Sequence, residues 1–143
     1  MDFKLLFGQM NWWAVIVSTL AVFFLGGLWY QPLFGKAWIA FMGFTEAQLA
    51  EMKTKMNPGK FFGTMILCYF VLSIAFALIV HAIGIHSAAA GATLGAVIGI
   101  GFAATIGMTD HISSNRHVGV YYINTMYQLL FLMISGAILG GWQ

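Results

Sequence analysis

Four apolar stretches, each long enough to cross a bilayer as a helix, alternate with polar connections along this chain. They run over about 11–30, 61–83, 88–109 and 118–142. A helix rises about 1.5 Å per residue, so a hydrocarbon core about 30 Å thick takes roughly 20 apolar residues. The third stretch carries a second pattern. Every fourth residue from Gly91 is small: Gly91, Gly95, Gly99, Ala103 and Gly107. A four-residue step advances about 40° round a helix, so these positions form one slowly winding groove. Apolar side chains gain nothing by clustering in lipid, and close backbone approach is what joins membrane helices. The third helix is therefore expected to be the one against which the others pack. Gly136 and Gly140 repeat the spacing in the fourth.

The first stretch opens on Trp12 and Trp13 and closes on Trp29 and Tyr30. Aromatic residues at both ends are expected to mark the two membrane interfaces. Asn11 is placed to cap the helix start, and Pro32 is expected to stop the helix at Gln31. The ten-residue lead before it carries Asp2 and Lys4 but precedes no small-residue cleavage site, so the first helix is expected to be retained. In the long 31–60 connection, Phe34, Gly35, Lys36 and Trp38 look interfacial. Thr45-Glu46-Ala47-Gln48 fits a capping box and opens a short amphipathic helix over about 45–56, with Leu49, Met52 and Met56 on one face. Asn57-Pro58-Gly59 ends it, and 110–117 reads as a polar loop. The expected fold is all-α: a four-transmembrane-helix bundle with one short cytoplasmic-side amphipathic helix, residues 1–143 forming one membrane domain.

Composition agrees. Of 143 residues, 61% are hydrophobic and 7% charged, against about 25% charge in soluble domains. A net charge of +2 without a basic, aromatic-interleaved cluster excludes nucleic acid as a partner. Cys68, the only cysteine, has no intrachain disulfide partner. Lys36, Lys53, Lys55, Lys60 and Arg116 fall on one side of a four-span arrangement and only Lys4 on the other. The excess of Lys and Arg predicts that loops 31–60 and 110–117 are cytoplasmic and both termini outside.

Two strings suggest a family. Asn11-Trp12-Trp13-Ala14-Val15 leads into Gly26-Gly27-Leu28-Trp29-Tyr30-Gln31-Pro32-Leu33-Phe34-Gly35-Lys36-Ala37-Trp38. Near the end stand Ile123-Asn124-Thr125-Met126-Tyr127 and Gly136-Ala137-Ile138-Leu139-Gly140-Gly141-Trp142. Over nearly the whole chain this resembles the bacterial membrane proteins grouped as domain of unknown function 1761. The resemblance implies a small multi-span protein of the bacterial inner membrane and brings no reaction, substrate or cofactor. The segment from Asp110 to His117 departs from the family pattern.

Ionisable residues inside a membrane are costly and mark function. Here no Asp, Glu, Lys or Arg lies in the middle of a span. Small proton-coupled exporters carry an acidic residue in their first helix, whereas this one offers Ser18 and Thr19, which tells against that activity. Asp110, His111 and His117 form a weak metal candidate. A site needs three or four converging ligands, and the alternative is a solvated loop with Arg116 near lipid phosphates. His81 and His86 lie at the opposite end. Asn124 and Gln128, four residues apart, share a helix face, with Tyr127 beside them. They read either as hydrogen-bonding glue between helices or as the lining of a polar path. Gly99-x-Gly101 lacks the context of a phosphate loop, and Ser113 and Ser114 beside His111 form no catalytic motif. The expected function is non-enzymatic and cofactor-free: a homo-oligomeric transport or permeation protein of the lipid bilayer. The alternative is a structural or accessory subunit that binds another membrane protein through its Gly-rich third helix.

Overall fold

A computed structural model describes residues 3–143, and its regular elements are all helical. They are α1 (Phe3–Gln9), α2 (Trp12–Leu28) with a π-helical turn over Trp29–Leu33, α3 (Gly35–Met42), α4 (Glu46–Lys55) and α5 (Pro58–Ala82). Then follow α6 (Ala88–Ile98), a π-helical segment over Gly99–Ala104, α7 (Thr105–Ser114) and α8 (Val118–Gly141). Trp12–Leu33, Pro58–Ala82, Ala88–Ser114 and Val118–Gly141 are each long and apolar enough to cross a membrane, consistent with a membrane location.

Local chemistry sets the helix starts. The Asn11 side chain accepts from the Trp13 and Ala14 amides at 3.1 and 3.3 Å. Thr45 and Gln48 form the reciprocal capping box. Asn57 caps α5, where Pro58 occupies a first-turn position that needs no amide hydrogen. Ser87 caps α6, and the His117 ring caps α8. Gly43, at φ 70°, ends α3 in the left-handed region that favours glycine.

Two helix ends differ from expectation. Pro32 does not stop the first helix at Gln31. It lacks an amide hydrogen and crowds the carbonyl four residues back. The chain widens into a π turn, closed by the Phe34 amide on the Trp29 carbonyl at 2.9 Å. Helical structure thus reaches Leu33, and α3 follows in the long connection, where the sequence marks no helix before Thr45. The second difference is that Asp110 to Ser114 is helix, not loop. The hydroxyls of Thr109 and Ser113 bond to carbonyls of their own helix at 2.7 and 2.9 Å, which lets polar residues extend it. Asn115, at φ 50°, ends the helix.

The third helix packs as its glycines require. A Cβ on Gly91 would run into the Gly136 carbonyl, and one on Gly136 into the Gly91 carbonyl. A Cβ on Gly140 would stand 2.7 Å from the Ser87 carbonyl. Gly95 meets the Leu132 and Met133 backbone, and Gly99 meets Leu129. The two small-residue faces therefore close on each other within one chain. Away from α8, Val97 and Ile100 of the third helix are exposed, as suits a surface whose solvent is lipid. Across the bundle, the fully buried hydroxyls of Ser18 and Ser73 pair at 3.0 Å and tie α2 to α5.

Candidate functional site

The two strings that carry the family resemblance meet in space. The Trp29 indole donates to the Ile123 carbonyl at 3.1 Å. Tyr30 Oη donates to Asn124 Oδ1 at 2.8 Å, and Trp38 Nε1 donates to the same oxygen at 3.2 Å. Trp29, expected at the membrane interface, is 8% exposed and packs in the core with Tyr127. The side chains of Trp29, Tyr30 and Trp38 thus turn toward the fourth helix. The physical cause lies in Pro32 and Gly35. The π turn redirects the chain at Phe34, and Gly35 has no Cβ to strike the Tyr30 carbonyl, from which one would stand 2.5 Å away. α3 can then return close under the end of α2 and carry Trp38 to Asn124.

A hydroxyl chain continues this knot. Tyr127 Oη lies 3.2 Å from the Val22 carbonyl and 3.0 Å from Tyr69 Oη. The carbonyl can only accept, so Tyr127 donates to it and Tyr69 donates to Tyr127. Gly26 makes the approach possible, because a Cβ there would stand 2.9 Å from the Tyr127 hydroxyl. Asn124 and Tyr127 thus act as ties between helices. The sequence does not single out Tyr69. Its only signal was a hydroxyl inside an apolar span.

Gln128 has a different setting. It shares with Asn124 the wall of a cleft of about 480 Å³ between the third and fourth helices. Asp110, His111 and Arg116 line one end of this cleft, and Leu72, Ile98 and Leu132 form its apolar depth. Arg116 and Asp110 stand 3.9 Å apart, with both side chains more than half exposed, so each keeps capacity for another partner. His111 Nδ1 is buried and has no hydrogen-bond partner among the described residues. Two groups that the sequence left separate, Asp110 with His111 and Asn124 with Gln128, thus line one cleft.

His117 does not join them. Its ring stacks on Phe41 with centroids 4.4 Å apart and planes 4° from parallel. Its Nδ1 accepts from the Gly119 amide at 3.0 Å. The metal candidate Asp110, His111 and His117 is therefore not assembled, and no three His, Cys, Asp or Glu side chains among the described residues converge on a point. The Gly91–Gly107 groove is likewise occupied. Gly91, Gly95 and Gly99 face α8, and Gly107 faces Thr125 and Tyr121, so these small faces are used inside one chain.

No curated protein and no solved structure matches the chain. A protein family does match, over residues 13–140, which takes in the helix that bears Trp29 and Tyr30 and the helix that bears Asn124 and Tyr127. The chain belongs to the family described as Protein of unknown function (DUF1761).

Proposed function

We propose that this protein is a non-enzymatic membrane permeation protein that passes amphipathic molecules through the cleft bounded by Asp110, Arg116 and Gln128. The observation that supports the reading is the cleft's polarity gradient. Its charged groups stand at the helix-end mouth and its apolar wall lies toward the middle of the helices. An amphiphile in a bilayer has the same gradient in the same direction, so its head and chain each meet a matching wall. The Asp110–Arg116 pair carries no net charge. It favours a zwitterionic head, with the cationic group toward Asp110 and the anionic group toward Arg116. His111 and Gln128 supply hydrogen-bonding atoms below the mouth.

The reading needs no second copy to complete the cleft, although the protein is expected to self-associate through another surface. The accessory-subunit alternative loses its docking surface where α8 fills the glycine groove. In keeping with the Lys and Arg distribution, the cleft mouth is assigned to the cytoplasmic side of a bacterial inner membrane. The test uses lysophosphatidylcholine labelled on its acyl chain with nitrobenzoxadiazole, in phosphatidylcholine vesicles containing the protein. Dithionite bleaches only the outer leaflet, so the slow phase reports movement across the bilayer. The wild type should accelerate that phase over protein-free vesicles, and Gln128→Leu should lose most of the gain. A wild-type rate equal to that of protein-free vesicles would refute the proposal.

A further inference from the structure

A second cleft, of about 690 Å³, opens between α2, α3 and α5. Its volume lies within the roughly 300–1,000 Å³ range of small-molecule sites. The Tyr30 and Trp38 side chains separate it from the polar cleft, since both line it while their polar atoms bond to Asn124. Five more rings line it, Phe23, Phe24, Phe61, Phe62 and Tyr69, together with Ile39, Met56 and Met65. Phe23 meets Phe62 edge to face at 5.9 Å, and Phe61 meets Phe62 in the same way at 5.3 Å. No charged side chain lines the cleft. The Tyr30, Trp38 and Tyr69 polar atoms are already engaged. Gln31 is the only side-chain amide there.

We propose that this aromatic cleft binds one uncharged, ring-bearing hydrophobic molecule that carries a carbonyl or hydroxyl group for Gln31. The class of ligand follows from competition with lipid. Acyl chains gain almost nothing by leaving bulk lipid for an apolar wall, because lipid is as apolar as the wall. Flat rings gain from edge-to-face and offset contacts, about 0.5–1.5 kcal/mol per pair beyond area burial. A charged ligand finds no counter-charge in the cleft and would be costly to hold at low dielectric. One hydrogen bond to the Gln31 amide supplies orientation and a further margin over lipid.

The test uses 6-propionyl-2-dimethylaminonaphthalene, an uncharged, fluorescent, two-ring ketone. The protein is placed in phosphatidylcholine nanodiscs, and energy transfer from its tryptophans to the probe is titrated against protein-free discs. A saturable component of one probe per chain is expected, displaced by 2-acetylnaphthalene and not by oleate. Gly27 lines this cleft, and a Cβ on it would meet nothing within 4 Å. Gly27→Leu should therefore fill the cleft without disturbing the fold and abolish the saturable component. Gly101, which also has nothing within 4 Å of an added Cβ and lies outside the cleft, serves as control: Gly101→Leu should bind like the wild type. Gln31→Leu should weaken binding by about threefold to tenfold, the value of one hydrogen bond. The proposal is overturned if no saturable component appears. It is equally overturned if Gly27→Leu binds like the wild type, or if oleate displaces the probe as well as 2-acetylnaphthalene does.

Discussion

Three alanine substitutions on the third helix should destabilise the bundle in a fixed order: Gly95→Ala most, Gly99→Ala less, Gly101→Ala hardly at all. The order comes from what each new Cβ would meet. At Gly95 the obstacles are backbone atoms, with Met133 Cα at 2.8 Å. Ordinary contact begins at 3.4 Å and the Leu132 carbonyl carbon would stand at 2.5 Å, so the helices must part by at least 3.4 − 2.5 = 0.9 Å. Backbone cannot swing aside, and the separation weakens every contact along the Gly91–Gly136 seam. At Gly99 the nearest atom is the tip of Leu129, which can rotate, and Leu129 Cα at 3.2 Å requires a shift of only 3.4 − 3.2 = 0.2 Å. At Gly101 nothing lies within 4 Å. Overpacking of a close-packed seam costs about 1–3 kcal/mol. The usual gain of alanine over glycine in a helix does not offset it, because separated membrane helices stay helical in lipid and the gain cancels. Gly95→Ala should thus lose about 1–3 kcal/mol, Gly99→Ala under about 1 kcal/mol, and Gly101→Ala nothing measurable. The assay is denaturant unfolding in mild detergent, followed by tryptophan fluorescence. Equal midpoints for Gly95→Ala and Gly101→Ala would refute the packing argument.

Other perturbations probe separate parts of the molecule. Ser18→Ala leaves the buried Ser73 hydroxyl without its 3.0 Å partner and should cost about 0.6–1.7 kcal/mol. Adding Ser73→Ala should restore part of that loss, and strictly additive losses would show that the hydroxyls do not pair. Cys68 is exposed, so Cys68→Ala should leave the thermal midpoint unchanged; a clear drop would mean that the thiol is packed. His117→Ala removes both the α8 cap and the stack on Phe41 and should lower stability by about 0.5–2 kcal/mol. Equal zinc content in His117→Ala and the wild type is expected by atomic absorption, and zinc lost with the ring would restore the metal reading.

The parts of this structure that could be read from the chain are those where spacing alone sets the geometry. Gly91, Gly95 and Gly99 must face a close neighbour at any four-residue period, and they do. Thr45 and Gln48 cap a helix through purely local bonds, and they do. What spacing leaves open is which neighbour. Nothing in the glycine pattern distinguishes a second copy from Gly136 and Gly140 of the same chain. The direction in which Trp29, Tyr30 and Trp38 turn is open for a related reason. An aromatic residue near a helix end has the same composition signature whether it meets headgroups or turns inward. The inward turn depends on the π turn at Pro32 and the missing Cβ at Gly35, two backbone effects with no periodic signal. Asp110 and His111 look like loop residues by polarity, yet Thr109 and Ser113 satisfy their own hydroxyls on the helix and carry it to Ser114. Only that extension places Asp110 and His111 on the wall of the cleft that Gln128 also lines.

The account rests most directly on the family's aromatic string folding inward onto the fourth helix. A double-mutant cycle on Tyr30 and Asn124 tests it. Tyr30→Phe, Asn124→Leu and the pair are unfolded under identical detergent conditions. A 2.8 Å hydrogen bond between these side chains predicts non-additivity of about 0.6–1.7 kcal/mol. The double variant should lose less than the sum of the single losses. Additivity within about 0.3 kcal/mol would place Tyr30 away from Asn124 and contradict the inward fold of the aromatic string.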